Sequence, residues 1–269
     1  MDLQLKGKRA LVTGSNGGIG AAIARSLADE GVSVVLHGRN EAKLAEAKAD
    51  ISGRGGAVAS AAGDLSTDEG AHDVATKALD AFGGIDILVN NAGGASESGK
   101  GSWFDLPPDD WAATYQSNVI SAGRLIHRVV PGMKADGWGR IIQISSAAGI
   151  IPTSGQPDYG PSKAALVNMS MGLSKALAGT GITVNTVSPG MIMTDKLVEF
   201  LREFSEKRGW GDDVDRAAEY VLKGTGQTVT RIGQVDDIGY AVTMLASPNS
   251  GFINGVNLHL DGGGTGSIY

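Results

Sequence analysis

Tyr159 and Lys163 are spaced for proton chemistry. They stand four residues apart in a stretch with helical patterning, so both fall on one face, one turn apart. A free phenol titrates near pH ~10, a poor match for proton transfer at neutral pH. A neighbouring ammonium favours the phenolate. Bringing the phenol down to neutral pH takes about 4 kcal/mol of differential interaction, which a partly buried cation helps to supply. So tuned, Tyr159 gives a proton to a carbonyl oxygen or takes one from an alcohol. A second chemical signal is Thr13-Gly14-Ser15-Asn16-Gly17-Gly18-Ile19-Gly20. Its glycines let backbone approach a pyrophosphate, and a following helix offers free N–H groups at the positive end of its dipole. The spacing is G-x-x-x-G-x-G, not G-x-G-x-x-G. What makes it more than a tight turn is its place between the first strand and a helix.

The elements that must hold these residues alternate along the chain. Apolar and β-branched runs predict strands at 9–13, 33–36, 57–61, 85–89, 140–144, 182–187 and 256–260. Helical patterning predicts helices at 19–30 (stopped by Gly31), 41–51, 67–82, 109–134, 159–178 and 235–245. The helix at 109–134 carries Gly123 inside it and Pro131 near its end. Seven strands separated by helices imply right-handed crossovers and a parallel sheet covered on both faces, the doubly wound α/β class. One domain spanning 1–269 is expected. The stretch 194–230 is too long for an ordinary connection and is read as a lid. Within it Lys196–Arg208 is amphipathic, with Leu197, Phe200, Leu201 and Phe204 at helical spacing, and glycines at 209, 211, 224 and 226 mark turns.

Composition removes other classes. The chain has 269 residues, 42% of them hydrophobic, and no cysteine, so disulfides, thiolate metal sites and Cys nucleophiles are out. His37, His72, His127 and His259 are scattered, and no metal site is expected. A net charge of −6 argues against nucleic acid and acidic membranes as partners. No apolar run reaches the ~20 residues of a membrane span, and the first residues lack a signal-peptide core. A cytoplasmic location is the expectation.

Taken in order, the motifs resemble those of the short-chain dehydrogenase/reductase family over nearly the whole chain. Thr13-Gly14-x-x-x-Gly18-Ile19-Gly20 looks like its glycine motif, followed by Asp64-Leu65, Asn90-Asn91-Ala92-Gly93, Asn118, Ser146, Tyr159, Lys163, Pro189-Gly190 and Thr194. The resemblance implies a Rossmann-like fold and hydride transfer between a nicotinamide and a carbonyl carbon, with the cofactor carrying the hard step. It implies that Ser146 hydrogen-bonds the substrate oxygen, as an electrostatic stabiliser and not a nucleophile. No Gly-x-Ser-x-Gly elbow accompanies Ser146, and neighbouring Ser145 is read as structural. By the same resemblance Lys163 also holds the nicotinamide ribose, and the Asn118 carbonyl holds a water linking Lys163 to solvent. Cofactor contacts carried over are Gly14, Ser15, Asn16, Gly18, Ile19 and Gly20 at the phosphates, and Asp64 and Leu65 at the adenine. Asn90, Asn91, Ala92 and Gly93 pass under the adenosine ribose. Pro189, Gly190, Ile192 and Thr194 lie around the nicotinamide.

NAD enzymes place Asp or Glu on the ribose 2′-OH about 20 residues after the loop. Gly38 stands where the family resemblance puts that acid, and Arg39 beside it suits a 2′-phosphate. NADP(H) is therefore favoured. Gly17 stands where many members carry a basic residue, so NAD(H) stays open. The walls expected for the substrate are Gly94 to Ser98, Ala148 to Pro152 and Met191 to Met193. They carry no Arg or Lys, which suits a neutral or apolar ketone or secondary alcohol. Lys196, Arg202, Lys207 and Arg208 keep a 3-oxoacyl thioester in view. A homodimer or homotetramer is implied by the resemblance, with the long helices, the last strand and the tail to Tyr269 as its surfaces. The competing readings are an NAD-linked alcohol or diol dehydrogenase and a dinucleotide-sensing protein without chemistry.

Overall fold

Strand β1 (Arg9–Val12) runs through the glycine turn into α1 (Gly18–Asp29). The pattern repeats as β2 (Ser33–Gly38), α2 (Glu41–Ile51), β3 (Val58–Ala62), α3 (Asp68–Phe82) and β4 (Ile87–Asn90). Then come α4 (Pro108–Tyr115), a π-helical turn at Gln116–Ile120, α5 (Ser121–Asp136), β5 (Gly139–Ile144), α6 (Tyr159–Ala176) and β6 (Ile182–Pro189). The chain closes with β7 (Ile192–Met193), α7 (Asp195–Lys207), α8 (Val214–Lys223), β8 (Gly233–Gln234), α9 (Val235–Ala246) and β9 (Asn257–Leu260). This computed structural model describes residues 2–95 and 103–266. Expected wall residues 96–98 and the last three tail residues lie outside that range.

Seven strands form one sheet in the order β3-β2-β1-β4-β5-β6-β9, every pair parallel. The order reverses between β1 and β4, and in such sheets the crevice at the strands' C-terminal ends opens at that reversal. Both faces are covered, so side chains alternate between two buried environments. Ala10 and Val12 pack with Ile23 and Leu27 of α1, Leu44 of α2 and Ile238 and Val242 of α9. Leu11 between them joins Val74 and Ala78 of α3 and Leu125 and Val129 of α5 on the other face. Each fully buried Leu, Ile or Val contributes roughly 1.5–3 kcal/mol. That is what holds the strand ends in place beneath the site.

The structure departs from the expected elements in two places. The helix expected over 109–134 is not continuous: α4 and α5 meet at the π-helical turn around Asn118, and α5 runs on to Asp136 before Gly137 stops it in a left-handed conformation, φ 66°. Pro131 is accommodated inside α5. The stretch 194–230 holds two helices, not one. Asp213 caps α8 by accepting from the Arg216 amide at 3.0 Å. Leu201, Ala217 and Ile232 form a small buried cluster of their own, with Met191, Met193, Leu197 and Phe204 packed against it. Phe200, expected on the apolar face, is 49% exposed. Among the described residues no helix is long and apolar enough to cross a membrane, and no cluster of three metal-ligating side chains occurs.

Candidate active site

Helix α6 begins at Tyr159, so Tyr159 and Lys163 lie one turn apart and both face the end of β5. Lys163 is buried, and its ammonium donates to the Ile144 carbonyl at 2.9 Å. Ser145 donates its hydroxyl to the Lys163 carbonyl at 2.8 Å and is buried, a positioning contact. Ser146 follows in extended backbone and starts a short turn, with its Oγ accepting from the Ala148 amide at 3.2 Å. Its own O–H therefore stays free to donate. The turn packs tightly on α6: a Cβ added at Gly149 would stand 2.8 Å from the Ala164 nitrogen, and one at Gly160 2.9 Å from the Ala148 carbonyl oxygen. Glycine at both positions lets the Ser146 turn approach Tyr159, and the two hydroxyls interact.

Electrostatics here run opposite to the expectation from spacing. Burial pushes the Tyr159 phenol above its ordinary value, and the hydrogen bond with Ser146 only partly offsets it. Burial lowers the Lys163 ammonium to about 8. The Lys163 nitrogen lies 5.6 Å from the Tyr159 ring centroid but is turned to the Ile144 carbonyl. Desolvation thus sets the direction of both shifts. In this state the phenol holds its proton firmly.

Asn118, in the π-helical turn, is buried and bonded on every side. Its Oδ1 accepts from the Gly94 amide at 2.9 Å while its Nδ2 donates to the Gly94 carbonyl at 3.0 Å and to Ser162 Oγ at 2.9 Å. Ser162 in turn donates to the Tyr159 carbonyl at 2.7 Å. The chain of bonds ties the loop after β4 to the first turn of α6. Such a turn breaks the regular ladder of helical bonds, and π-turns concentrate at functional sites for this reason.

At the other end of the crevice α1 follows Gly17 at its N-cap, with no side-chain cap and no acid in its first turn. By contrast, Asn40 caps α2 and Thr67 caps α3. The first amides of α1 are thus available to an anion. A Cβ on Gly20 would lie 2.2 Å from the Gly14 carbonyl oxygen, and Gly14 itself has φ +61°, so only glycine makes this cradle. Thr13 Oγ1 accepts from the Asn91 and Ala92 amides at 2.9 Å each, and Asn91 Nδ2 donates to the Thr13 and Gly14 carbonyls. Asn91 and Ser15, expected as cofactor contacts, therefore spend their side chains inside the loop: Ser15 is fully buried, donating to the Val12 carbonyl. Asn90 is likewise buried at the end of β4.

Arg39 is exposed at the rim beyond Gly38, with Asp64 near enough for their charges to interact. The Ser66 amide holds the Asp64 carboxyl below its usual range, and Arg39 adds to the effect. A Cβ on Gly38 would meet Asn16 Cγ at 2.8 Å, so Asn16 lies across the position where an acid was sought. Leu65 is buried behind Asp64, and Ile19 and Gly93 reach the surface of the crevice. Gly190 is pinned by its amide to the Leu260 carbonyl at 2.9 Å. Thr194 caps α7, and its methyl comes within 3.8 Å of a Cβ placed on Gly18. The first and last positions expected to hold the cofactor thus meet across one crevice, with Ile192 buried beneath. Sequence reasoning gave no role to His37 or Ser162, and it quoted Thr13 only as the start of the glycine motif. His37 left a signal, a polar residue ending the apolar run Val34-Val35-Leu36.

The family model described as short chain dehydrogenase matches residues 8–203. The chain is 36% identical to an uncharacterized oxidoreductase, YvaG, of Bacillus subtilis, over 100% of both chains. It is 34% identical to the 3-oxoacyl-[acyl-carrier-protein] reductase FabG of Vibrio cholerae, covering 97% of this chain and 98% of that protein. The solved structure of L-sorbose reductase from Gluconobacter frateurii, complexed with NADPH and L-sorbose, superposes with a TM-score of 0.94 at 32% identity, covering 100% of both chains.

Proposed function

Because this chain belongs to the short-chain dehydrogenase/reductase family of oxidoreductases, we propose that it is an NADP(H)-dependent carbonyl reductase acting on a neutral ketone or, in reverse, its secondary alcohol. The observation that carries the reading is the convergence of Ser146, Tyr159 and fully buried Lys163 at the end of β5, opposite an uncapped helix start in a glycine cradle. The residues fit a dinucleotide: the first amides of α1 and Gly14, Asn16, Gly18 and Gly20 would hold its phosphates. Asp64, Leu65, Ala92 and Gly93 would flank its adenosine, and Pro189, Gly190, Ile192 and Thr194 its nicotinamide. When bound, it supplies the hydride. The Tyr159 hydroxyl gives its proton to the carbonyl oxygen, toward which the Ser146 O–H donates a hydrogen bond. The Lys163 ammonium stabilises the phenolate left behind and holds the ribose, and Asn118 fixes the loop and α6 around them.

Gly38 and Arg39 favour NADPH, in line with the NADPH bound to the sorbose reductase. A neutral substrate is favoured because, of Lys196, Arg202, Lys207 and Arg208, all but Lys196 are engaged within the lid. Arg202 pairs with Asp212 at 2.8 Å, Lys207 with Glu203 at 3.8 Å, and Arg208 lies over aromatic rings. That weakens the case for an acyl-carrier thioester. An NAD-linked dehydrogenase has one observation in its favour, the absence of a basic side chain in the glycine loop. The reading extends to one domain over 1–269, the α7–α8 unit as its lid, and a cytoplasmic homodimer or homotetramer. Turnover of a panel of neutral ketones and alcohols with NADPH and NADH, followed by nicotinamide absorbance, tests it. Binding of NADPH without turnover of any of them would favour a sensing protein instead. Sedimentation tests the assembly.

A further inference from the structure

His37 is a buried titratable side chain that this proton chemistry does not use. It ends the apolar run of β2 and is 3% exposed. Its ring spans two turns: Nδ1 lies 3.1 Å from the Gly14 amide nitrogen and Nε2 3.2 Å from the Gly63 carbonyl oxygen. An amide only donates and a carbonyl only accepts, so the ring accepts at Nδ1 and donates at Nε2. That is the neutral Nε2–H tautomer. The His37 backbone adds two bonds to the same loop, accepting from the Ser15 amide at 2.8 Å and donating to Ser15 Oγ at 2.9 Å.

We propose that His37 is the positioning residue of the dinucleotide site: its neutral imidazole sets the spacing between the Gly14 turn, which receives phosphate, and the Gly63–Asp64–Leu65 turn, which flanks adenine. The inference rests on the dinucleotide reading above. Removing the ring leaves the Gly14 N–H without its acceptor, and the neighbouring Ser15 and Asn91 side chains are already bonded elsewhere. Charging the ring has the same effect, because Nδ1 then becomes a donor facing a donor. Burial opposes that charge, and the flanking charges are of opposite sign, Asp64 favouring protonation and Arg39 opposing it. The ring is held down to about 4.

The test uses three variants of the full chain. H37N keeps an acceptor near the Nδ1 position, H37Q keeps a donor near the Nε2 position, and H37L keeps neither. Fluorescence titration should give an NADPH Kd raised about tenfold or more in H37L and H37Q and about threefold or less in H37N, with kcat at saturation changed by less than about threefold. Unchanged affinity in H37L and H37Q, or a fall in kcat without a change in Kd, would overturn the assignment. Imidazole nitrogen NMR of the unliganded wild type asks the question without any variant. One proton on Nε2 and no titration from about pH 8 to 5.5 is expected; a ring protonated at Nδ1, or titrating near pH 6.5, would also overturn it. A wild type that binds neither NADPH nor NADH would remove the functional reading and this proposal with it, whereas failure of the variants alone leaves that reading standing.

Discussion

The two ends of the crevice are built on opposite principles. Around the glycine turn, Thr13, Ser15, His37 and Asn91 are neutral groups that satisfy one another and the loop backbone. At the end of β5, Lys163 is a buried ammonium whose acceptor among the described residues is one backbone carbonyl, and Tyr159 is a crowded phenol with its proton held. In the first corner these side chains are already paired, and what stays open is the uncapped start of α1. The second carries an incompletely compensated charge, which is costly to bury and is the usual mark of a site tuned for chemistry. Binding and reaction should therefore fail separately.

The largest effect expected is at the reactive end. Tyr159→Phe removes the proposed proton donor and should lower kcat about 10³-fold, with NADPH Kd changed less than about threefold. A variant that loses affinity in proportion would merge the two ends. Gly20→Val should do the reverse. Its side chain must enter space where Cβ alone would lie 2.2 Å from the Gly14 carbonyl oxygen, so NADPH binding should fall by about 100-fold or more while the sheet still forms. Circular dichroism and cofactor titration together decide that case. Arg39→Ala should lower the NADPH-to-NADH ratio of kcat/KM by about 10–100-fold, the worth of one charged phosphate contact. An unchanged ratio would remove the role given to Arg39.

The pH profile sharpens the contrast next. Lys163 is lowered to about 8, so its ammonium is present below that pH and lost above it. Tyr159 is raised and keeps its proton across the same range. Reduction should be nearly flat at neutral pH and fall by about tenfold per pH unit above about pH 8, through Lys163 and not the phenol. A falling limb near pH 10 would mean that the cofactor, once bound, restores the ammonium to its ordinary value.

The positions of these residues were legible in the sequence because buried parallel strands are apolar runs and because i, i+4 spacing fixes a shared helix face. The direction of the Tyr159 shift was not, since spacing reports the neighbouring cation but not the burial that sets it. The π-helical turn at Asn118 was hidden for a similar reason. It is held by bonds to Gly94 and Ser162, which lie 24 and 44 residues away. Helix α8 left a readable trace in Asp213 followed by Val214, Ala217, Ala218 and Val221, but Gly209, Gly211 and Gly224 around it read as turns.

Helix α8 supplies the smallest effect, and the α7–α8 unit is a third region to set against the other two. The Arg208 guanidinium lies 4.7 Å from the Tyr220 ring, 5.1 Å from Phe204 and 5.9 Å from Trp210. All of these contacts sit at the surface of the α7–α8 unit, where a cation over a ring is worth about 0.5–1 kcal/mol. The buried cluster of Leu201, Ala217 and Ile232 beneath them does not depend on the cation. Arg208→Ala should therefore cost about 1 kcal/mol, lower Tm by less than about 4 °C, and leave NADPH affinity unchanged. Leu201→Ala, which empties a fully buried position, should cost about 2–5 kcal/mol. If Arg208→Ala weakened NADPH binding as much as it weakened folding, the lid would be part of the cofactor corner. If it did not, the α7–α8 unit is stabilised by its own core, independently of the cofactor corner.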